Sequence, residues 1–475
     1  MSTRITFAIV LAEKYVSILI QLVGSMIVAR LLTPSEFGVF SLAMSVSILA
    51  QVFRDLGIGQ YLIQEKELTQ DKIKAAQSIL VISSAVLGLF LILGAQAAAE
   101  FYQEPKVKPL LLIFGINFFL LPIGAVTYAL WRRNLEFGRL SIISTAATFG
   151  NTLTTIVLAY QGYSYLSLGW GVLIGSIITA VLCICLKPPN LSYSLGFKSI
   201  LQVFRYSSLA TFNSFLDTFK DRSPSLFLGK FVGMDSVGIF ERAVGLAELF
   251  NRLLMQAVWS IAMPLIADRV RSGNDIEKGY LYAVALVTGA GMAFFGWLII
   301  AADVVVYYLF GDQWNEAVPL VRLLCLQMAI EIPNYLSSSL IIGHGHIKRQ
   351  TILTILSRGI SITGVVVGVF WGVRGVAIGM VLSSFINSMI ILYFLHYYIS
   401  PFKILATTTR SLAPAIVLVS SMLFVKSQFD QNDLTSWIIS SLVAFFIWLL
   451  IIVYYKHPLS LEGEKVLVRI KEKIN

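Results

Sequence analysis

The chain has 475 residues, 57% of them hydrophobic and only 13% charged, and a net charge of +10. A soluble domain carries about twice that charged fraction. Apolar runs of about 20 residues recur along the whole length, which defines an all-α polytopic membrane protein. Outer-membrane barrels, with weak alternating segments of about 10 residues, are excluded. No soluble basic domain is present to hold nucleic acid.

In chain order, the apolar runs predict 14 transmembrane helices near 8–30, 37–56, 76–100, 109–131, 139–160, 165–186, 206–229, 237–266, 280–302, 317–342, 351–371, 375–396, 408–425 and 436–455. Of the 36 Lys and Arg, 23 fall on the side of the N-terminus, 5 on the opposite side and 8 inside spans. This asymmetry places both termini in the cytoplasm. The first span carries Glu13 and Lys14 and lacks a small-residue cleavage site, so it is expected to be retained. The loop RDLGIGQYLIQEKELTQDKIK at 54–74 mixes both signs and predicts a short interfacial helix. The tail KVLVRIKEKIN reads either as a helix lying on the inner leaflet or as a frayed basic end.

Two long segments repeat. ARLLTPSEFGVFSLAMSV at 29–46 aligns with GKFVGMDSVGIFERAVGL at 229–246, an offset of 200. Farther on, Pro109, Arg139, Gly162 and Gly169 match Pro319, Arg349, Gly372 and Gly379 at an offset of 210. Six spans per copy make the repeat parallel, the arrangement of transporters that bind cargo near the midplane. The expected organisation is a six-helix bundle at 1–190, a second at 191–400, and two extra helices with an amphipathic tail at 401–475. A linker at 187–205 contains two prolines that block helix continuation.

Ionised side chains inside spans are expensive and mark function by default. In the first span Lys14, Ser17, Gln21, Gly24 and Ser25 share a stripe, and Lys14 either faces a cavity or snorkels beside Glu13. The seventh span carries Asn213, Asp217, Lys220 and Asp221 on one stripe, with Arg222 beside it. Asp217 and Asp221 are candidates for coupling to H+ or Na+; the alternative is a structural salt-bridge knot. In the eighth span Glu241, Gly245, Glu248, Arg252 and Gln256 keep one face polar, with Trp259 on that face and Arg242 offset. Such a stripe faces protein or water, not lipid. Its first-repeat equivalents begin Ser41 and Leu42, so the polar site is weighted to the second half. Arg322 and Glu331 are also buried, without identifiable partners. The three cysteines read as small hydrophobes in packing positions. His344 and His346 are too few ligands for a metal centre. No nucleotide-binding loop appears, and the chain is expected to be no enzyme, with no cofactor beyond a coupling ion.

VARLLTPSEFGVFSLAMSV (28–46), followed by FRDLGIGQYLIQ (53–64), resembles the polysaccharide transporters of the multidrug/oligosaccharidyl-lipid/polysaccharide flippase superfamily, of colanic-acid and teichuronic-acid exporter type. The resemblance covers about the first 400 residues. It implies two six-helix bundles around a central cavity, alternating access, and a place in the bacterial plasma membrane. It also implies, as cargo, oligosaccharide repeat units on undecaprenyl diphosphate, moved from the inner to the outer leaflet. Polysaccharide polymerase and glycosyltransferases are the partners it suggests. Related lipid II flippases use cations in their first, second and eighth spans, and Lys14, Arg54 and Arg252 are cations in those spans here. Lys or Arg in a low-dielectric cavity attracts a diphosphate strongly. Gln21, Asn213, Gln256 and Trp259 suit sugar hydroxyls and faces, and Lys220, Arg222 and Arg242 complete the candidate cations. Glu241 and Glu248 join Asp217 and Asp221 as ion-coupling candidates.

Three other readings compete. A cation-coupled multidrug exporter would favour an acidic cavity, yet the first, seventh and eighth spans hold five acids and six cations, nearly a balance. A membrane-embedded polymerase or ligase would need a sizeable outward loop, and the outward loops here are short. An assembly scaffold would move nothing.

Overall fold

A computed structural model gives the structure of the protein and describes residues 3–187, 194–198, 200–255, 258, 276–427 and 434–461. Among them there is no strand. Hydrocarbon offers no partner to a backbone N–H or C=O, and the α-helix pairs these groups within one segment. Among the described residues eleven stretches are long and apolar enough to cross a bilayer, and the expected span at 237–266 lies partly outside those residues. One of the eleven, 347–395, is broken by a turn at Val369–Trp371. The helix at 200–231 is missing from that set because its middle carries Asp217, Lys220, Asp221 and Arg222.

The chain divides by internal packing into two units, Met1–Glu241 and Arg242–Asn475. The first contains α1 (Thr3–Leu31), α2 (Pro34–Asp55), α3 (Ile58–Gln64), α4 (Gln70–Tyr102), α5 (Val107–Arg133), α6 (Phe137–Tyr160), α7 (Leu166–Cys185) and α8 (Ile200–Phe231), and α9 (Met234–Ala247) begins in it. α4 and α5, α6 and α7, α1 and α6, and α2 and α8 are its main packed pairs. Val39, Leu42, Leu91, Leu110, Phe114, Phe118 and Leu173 form one core.

α2 starts with Pro34 in its first turn and a reciprocal cap, Thr33 Oγ1 accepting from the Glu36 N–H while the Glu36 carboxylate accepts from the Thr33 N–H. Ser164 donates to the same carboxylate, tying the α6–α7 turn to α2. Four residues on, Gly38 crosses Gly238 of α9. A Cβ on Gly38 would stand 1.8 Å from the Met234 carbonyl oxygen, and one on Gly238 1.9 Å from that of Pro34. Both residue pairs are separated by the 200 positions of the repeat offset. The linker is also anchored. Gly196 N–H donates to Ser78 Oγ at 2.8 Å, and Ser78 Oγ lies 2.9 Å from the Gly196 carbonyl, which fastens 194–198 to α4.

The second unit contains a π-helical turn (Asn251–Met255), α10 (Ile276–Phe310), α11 (Ala317–Glu331), α12 (Ser337–Gly343), α13 (Ile347–Gly368), α14 (Gly372–Leu395), α15 (Pro401–Ser427) and α16 (Leu434–Tyr454). α10 packs on α15, which packs on α16, around Leu418, Met422, Trp437 and Trp448. α11, α13 and α14 are held by polar side chains. Asn334 donates to Ser388 at 2.9 Å, Asn387 to Ser361 at 3.0 Å, and Ser384 to Glu331 at 2.6 Å. Small hydroxyls and amides are the usual fastening between helices in lipid, where apolar contact gives little preference for protein over lipid. Cys183 and Cys325 are buried and Cys185 is exposed, all three free thiols.

The Gly38–Gly238 crossing leaves no room for a methyl group. Gly38→Ala is expected to cost about 1–3 kcal/mol through overpacking, read as a lower melting temperature of the purified protein.

Beyond α16, the buried His457 ring accepts from the Leu459 N–H at Nδ1 (3.3 Å), and its Nε2 lies 3.2 Å from Ser411 Oγ. Burial lowers its pKa, so the folded state prefers the neutral ring. The unfolded chain takes up the proton first as pH falls. The stability that the neutral ring contributes is therefore present above the ordinary histidine range and lost below it. Melting temperature should fall between about pH 8 and pH 5, with a shallower fall in His457→Gln.

Candidate functional site

The first unit encloses a cavity of about 600 Å³ at the end of α2. Arg54 and Asp55 close α2, and the chain then reverses through Leu56 (φ +43°) and Gly57 (φ +66°), both left-handed. Glycine adopts that conformation at no steric cost, whereas leucine is strained there. The reversal sends α3 under the cavity, so that Gly57, Gly59 and Gln60 form one wall. Tyr128 and Arg132 of α5 and Thr211 and Ser214 of α8 complete its polar lining. A smaller space of about 170 Å³ shares Arg54 and Tyr128 and reaches Ser176 and Thr179 of α7.

Arg54 is the charged centre. It is 7% exposed. Its Nε donates to Asp55 Oδ1 at 2.8 Å and its Nη2 pairs with the same oxygen. Phe118 stands 6.0 Å below the guanidinium, at the limit of cation–π reach. Nη1 is buried and has no hydrogen-bond partner among the described residues. A buried donor left unsatisfied costs roughly 1–3 kcal/mol, more when charged. A group that supplied an acceptor at Nη1 would remove that cost. Arg54 and Arg132 outnumber the single carboxylate of Asp55, so the chemistry favours an anion.

α3 is held by one residue. Arg133 Nη1 donates to the carbonyls of Leu62 (3.0 Å), Ile63 (3.2 Å) and Glu65 (2.6 Å), and Nη2 to that of Lys66 (3.4 Å). Leu62 and Ile63 carry orphan carbonyls of the last helical turn, and Glu65 and Lys66 follow it. The short helix expected in this loop is present, and its Ile58, Tyr61 and Leu62 pack on α4 and α5. Beyond it, Lys72 bonds Glu65 Oε1 at 3.0 Å and the Glu67 carbonyl at 2.9 Å. The Lys72 ammonium holds the Glu65 carboxyl below its ordinary range.

Of the candidate cations read from the sequence, Arg54 lines this cavity, and α8 reaches it through Thr211 and Ser214, which were not candidates. Asn213 lies between them with its Oδ1 buried and without a partner among the described residues. Lys220 pairs with its neighbour Asp221 at 3.3 Å. This contact joins adjacent residues, because a long Lys side chain reaches round the helix. Asp217 and Arg222 are half-buried on the same helix. In α1, Ser17 is buried and donates to Glu13 at 3.2 Å. Gly24 faces Thr152 of α6. Lys14 is half-buried and Gln21 exposed, so the stripe divides between packing and surface.

Glu241 accepts from Ser225. In the second unit, Arg242 is 6% exposed with its guanidinium between Phe310 (5.1 Å) and Trp314 (4.8 Å), a packed position. Glu248 and Arg252 pair at 3.3 Å, both partly exposed. Gln256 and Trp259 lie outside the described residues. The partners that sequence could not identify are Asp303, 3.9 Å from Arg322, and Ser384 and Gln327, both on Glu331.

Sequence reasoning missed Arg132, Arg133 and Gln60. The paired arginines at a span end looked like ordinary topology charges. The GIG at 57–59, two glycines flanking a helix start, was the available signal.

Removing the clamp isolates its role. Arg133→Ala is expected to lower the local stability of α3 by about 1.5–3 kcal/mol, the range for bonds to a charged group. Amide exchange over residues 58–65 should speed up, with Arg133→Lys between the two.

Comparison with known proteins follows this geometry. A family model described as "Polysaccharide biosynthesis protein" matches residues 27–319. The chain is 22% identical over 377 residues to the lipopolysaccharide biosynthesis protein WzxC of Escherichia coli K12, covering 78% of this chain and 76% of that one. It is 21% identical over 356 residues to the teichuronic acid biosynthesis protein TuaB of Bacillus subtilis, covering 72% of each. Among solved structures, the lipid II flippase MurJ in an inward closed conformation superposes with a TM-score of 0.77 at 13% identity, covering 96% of this chain and 99% of that one. An inward-facing multidrug resistance transporter of the MATE family, in the MOP superfamily, gives 0.63 at 18% identity over 83% and 96%. Both structural likenesses are of fold.

Proposed function

The chain belongs to the polysaccharide biosynthesis protein family, and from that premise we propose that it is a flippase for lipid-linked oligosaccharides. The cargo is an oligosaccharide repeat unit on undecaprenyl diphosphate, moved from the inner to the outer leaflet of the bacterial plasma membrane by alternating access. The names of its relatives support a role in surface polysaccharide export, one being a succinoglycan biosynthesis transport protein of Rhizobium meliloti at 22% identity. The observation that carries the reading is the buried Arg54, which lines a cavity and whose Nη1 has no hydrogen-bond partner among the described residues.

A diphosphate supplies charged acceptor oxygens, and charge-assisted bonds to guanidinium are the strong ones. Arg54 holds one phosphate while Arg132, at the exposed edge, draws in the other. Gln60, Tyr128, Thr211 and Ser214 bond sugar hydroxyls. Two guanidiniums against one carboxylate disfavour the cationic cargo of a multidrug exporter. Asp217, Asp221, Glu241 and Glu248 remain the ion-coupling set. Protonation or Na+ binding at Glu248 would weaken its hold on Arg252, which gives a gradient of H+ or Na+ something to act on. Both termini lie in the cytoplasm, where glycosyltransferases deliver the cargo, and a polymerase receives it outside.

In liposomes loaded with a labelled lipid-linked oligosaccharide, Arg54→Gln should slow leaflet exchange about 10- to 100-fold, the value of one charge-assisted bond. Arg54→Lys should fall between. Both variants should remain monodisperse and melt near the wild type. Wild-type exchange by a folded Arg54→Gln protein would sink the proposal.

A further inference from the structure

The second unit carries a groove of about 720 Å³ between α13 and α14, separate from every group used above. It exists because the helices touch backbone to backbone: a Cβ on Gly364 would stand 2.6 Å from the Gly379 carbonyl oxygen, and one on Gly368 2.4 Å from that of Gly375. Val367, Ile378 and Leu382 line it, all exposed on the outer surface of the unit. At one end stand Phe370 and Trp371, 78% and 72% exposed. Exposed aromatics at a helix turn sit at the membrane–water boundary, at headgroup depth. Arg374, one turn farther, also lines the groove. It is exposed and makes no ion pair or side-chain hydrogen bond among the described residues. From Trp371 to Ile360 the groove runs 11 residues, about 16 Å of helix. That is the thickness of one hydrocarbon leaflet, about 15 Å.

A cation at headgroup depth, joined to an apolar channel one leaflet long, matches the two parts of a single lipid. We propose that this groove is a site for an anionic phospholipid, with its phosphate on Arg374 and an acyl chain along Val367, Ile378 and Leu382. It is a resident lipid of the leaflet at the α13–α14 turn, not the transported cargo. The site is independent of the proposed transport function.

The test uses the full-length protein, exchanged into detergent with phosphatidylglycerol, phosphatidylcholine or undecaprenyl phosphate. Retained lipid is counted by native mass spectrometry, and melting temperature is read in parallel. Wild type is expected to retain phosphatidylglycerol about fivefold over phosphatidylcholine, the preference that one basic residue near a membrane surface supplies, and to melt higher with it. Arg374→Gln, a surface change, should remove the preference without changing the melting temperature measured in phosphatidylcholine. Ile378→Trp, which fills the groove from its open side, should lower retention of both phospholipids; should it fail to fold, Arg374→Gln alone decides. Equal retention of the two phospholipids by wild type, an unchanged preference in Arg374→Gln, or displacement of phosphatidylglycerol by undecaprenyl phosphate would overturn the assignment.

Discussion

Hydrocarbon cannot hydrogen-bond, and the polar residues of this chain are arranged around that fact. Hydroxyls along the helices return to their own backbone, as Ser45 does to the Ser41 carbonyl and Ser361 to that of Ser357. Amides and a carboxylate bridge helices, as Asn387 and Glu331 do. Arg242 lies between two aromatic faces. Against this background Arg54 stands out. Asp55 takes two of its nitrogens, and the third is left over beside a cavity. Other buried polar atoms, Asn117 Oδ1 and Trp131 Nε1 among them, also lack a partner among the described residues, and Arg54 differs in joining a charge to a place on a cavity wall.

The architecture around Arg54 explains how it is kept there. It sits in the last turn of α2, where the helix dipole favours a cation. Ser83 of α4 donates to its carbonyl at 3.0 Å. The left-handed reversal at Leu56 and Gly57 then turns the chain so sharply that α3 walls the cavity, and Arg133 fixes the far end of α3. Two arginines thus divide the work: one lines the cavity, and the other holds the helix that walls it.

Much of this was legible in the residues, and the limits have physical causes. Long apolar runs announce helices because hydrocarbon demands them, so the all-α class follows directly. α8 shows the counter-case: its charges depress its hydropathy, yet it is a continuous helix packed on α2. Arg54 was named as a candidate from the resemblance to lipid II flippases, which use a cation in the second span. Its cavity was not visible, since the cavity is made by a turn, a short helix and two residues of α8 that are distant in sequence. Ion pairs read from helical spacing fared unevenly. Glu248 and Arg252 pair four apart, where spacing places them together. Lys220 also meets its adjacent neighbour Asp221, and Arg322 reaches Asp303 on another helix, contacts that no periodicity encodes.

The docked linker changes how motion in the first unit should be pictured. Gly196 and Ser78 bond each other through both N–H and carbonyl, so 194–198 is stapled to α4 and not draped loosely over the surface. Whatever α4 does in a working cycle, this strap travels with it. A fluorophore or epitope meant to be silent therefore belongs elsewhere, because one inserted at 194–198 would load the moving helix itself.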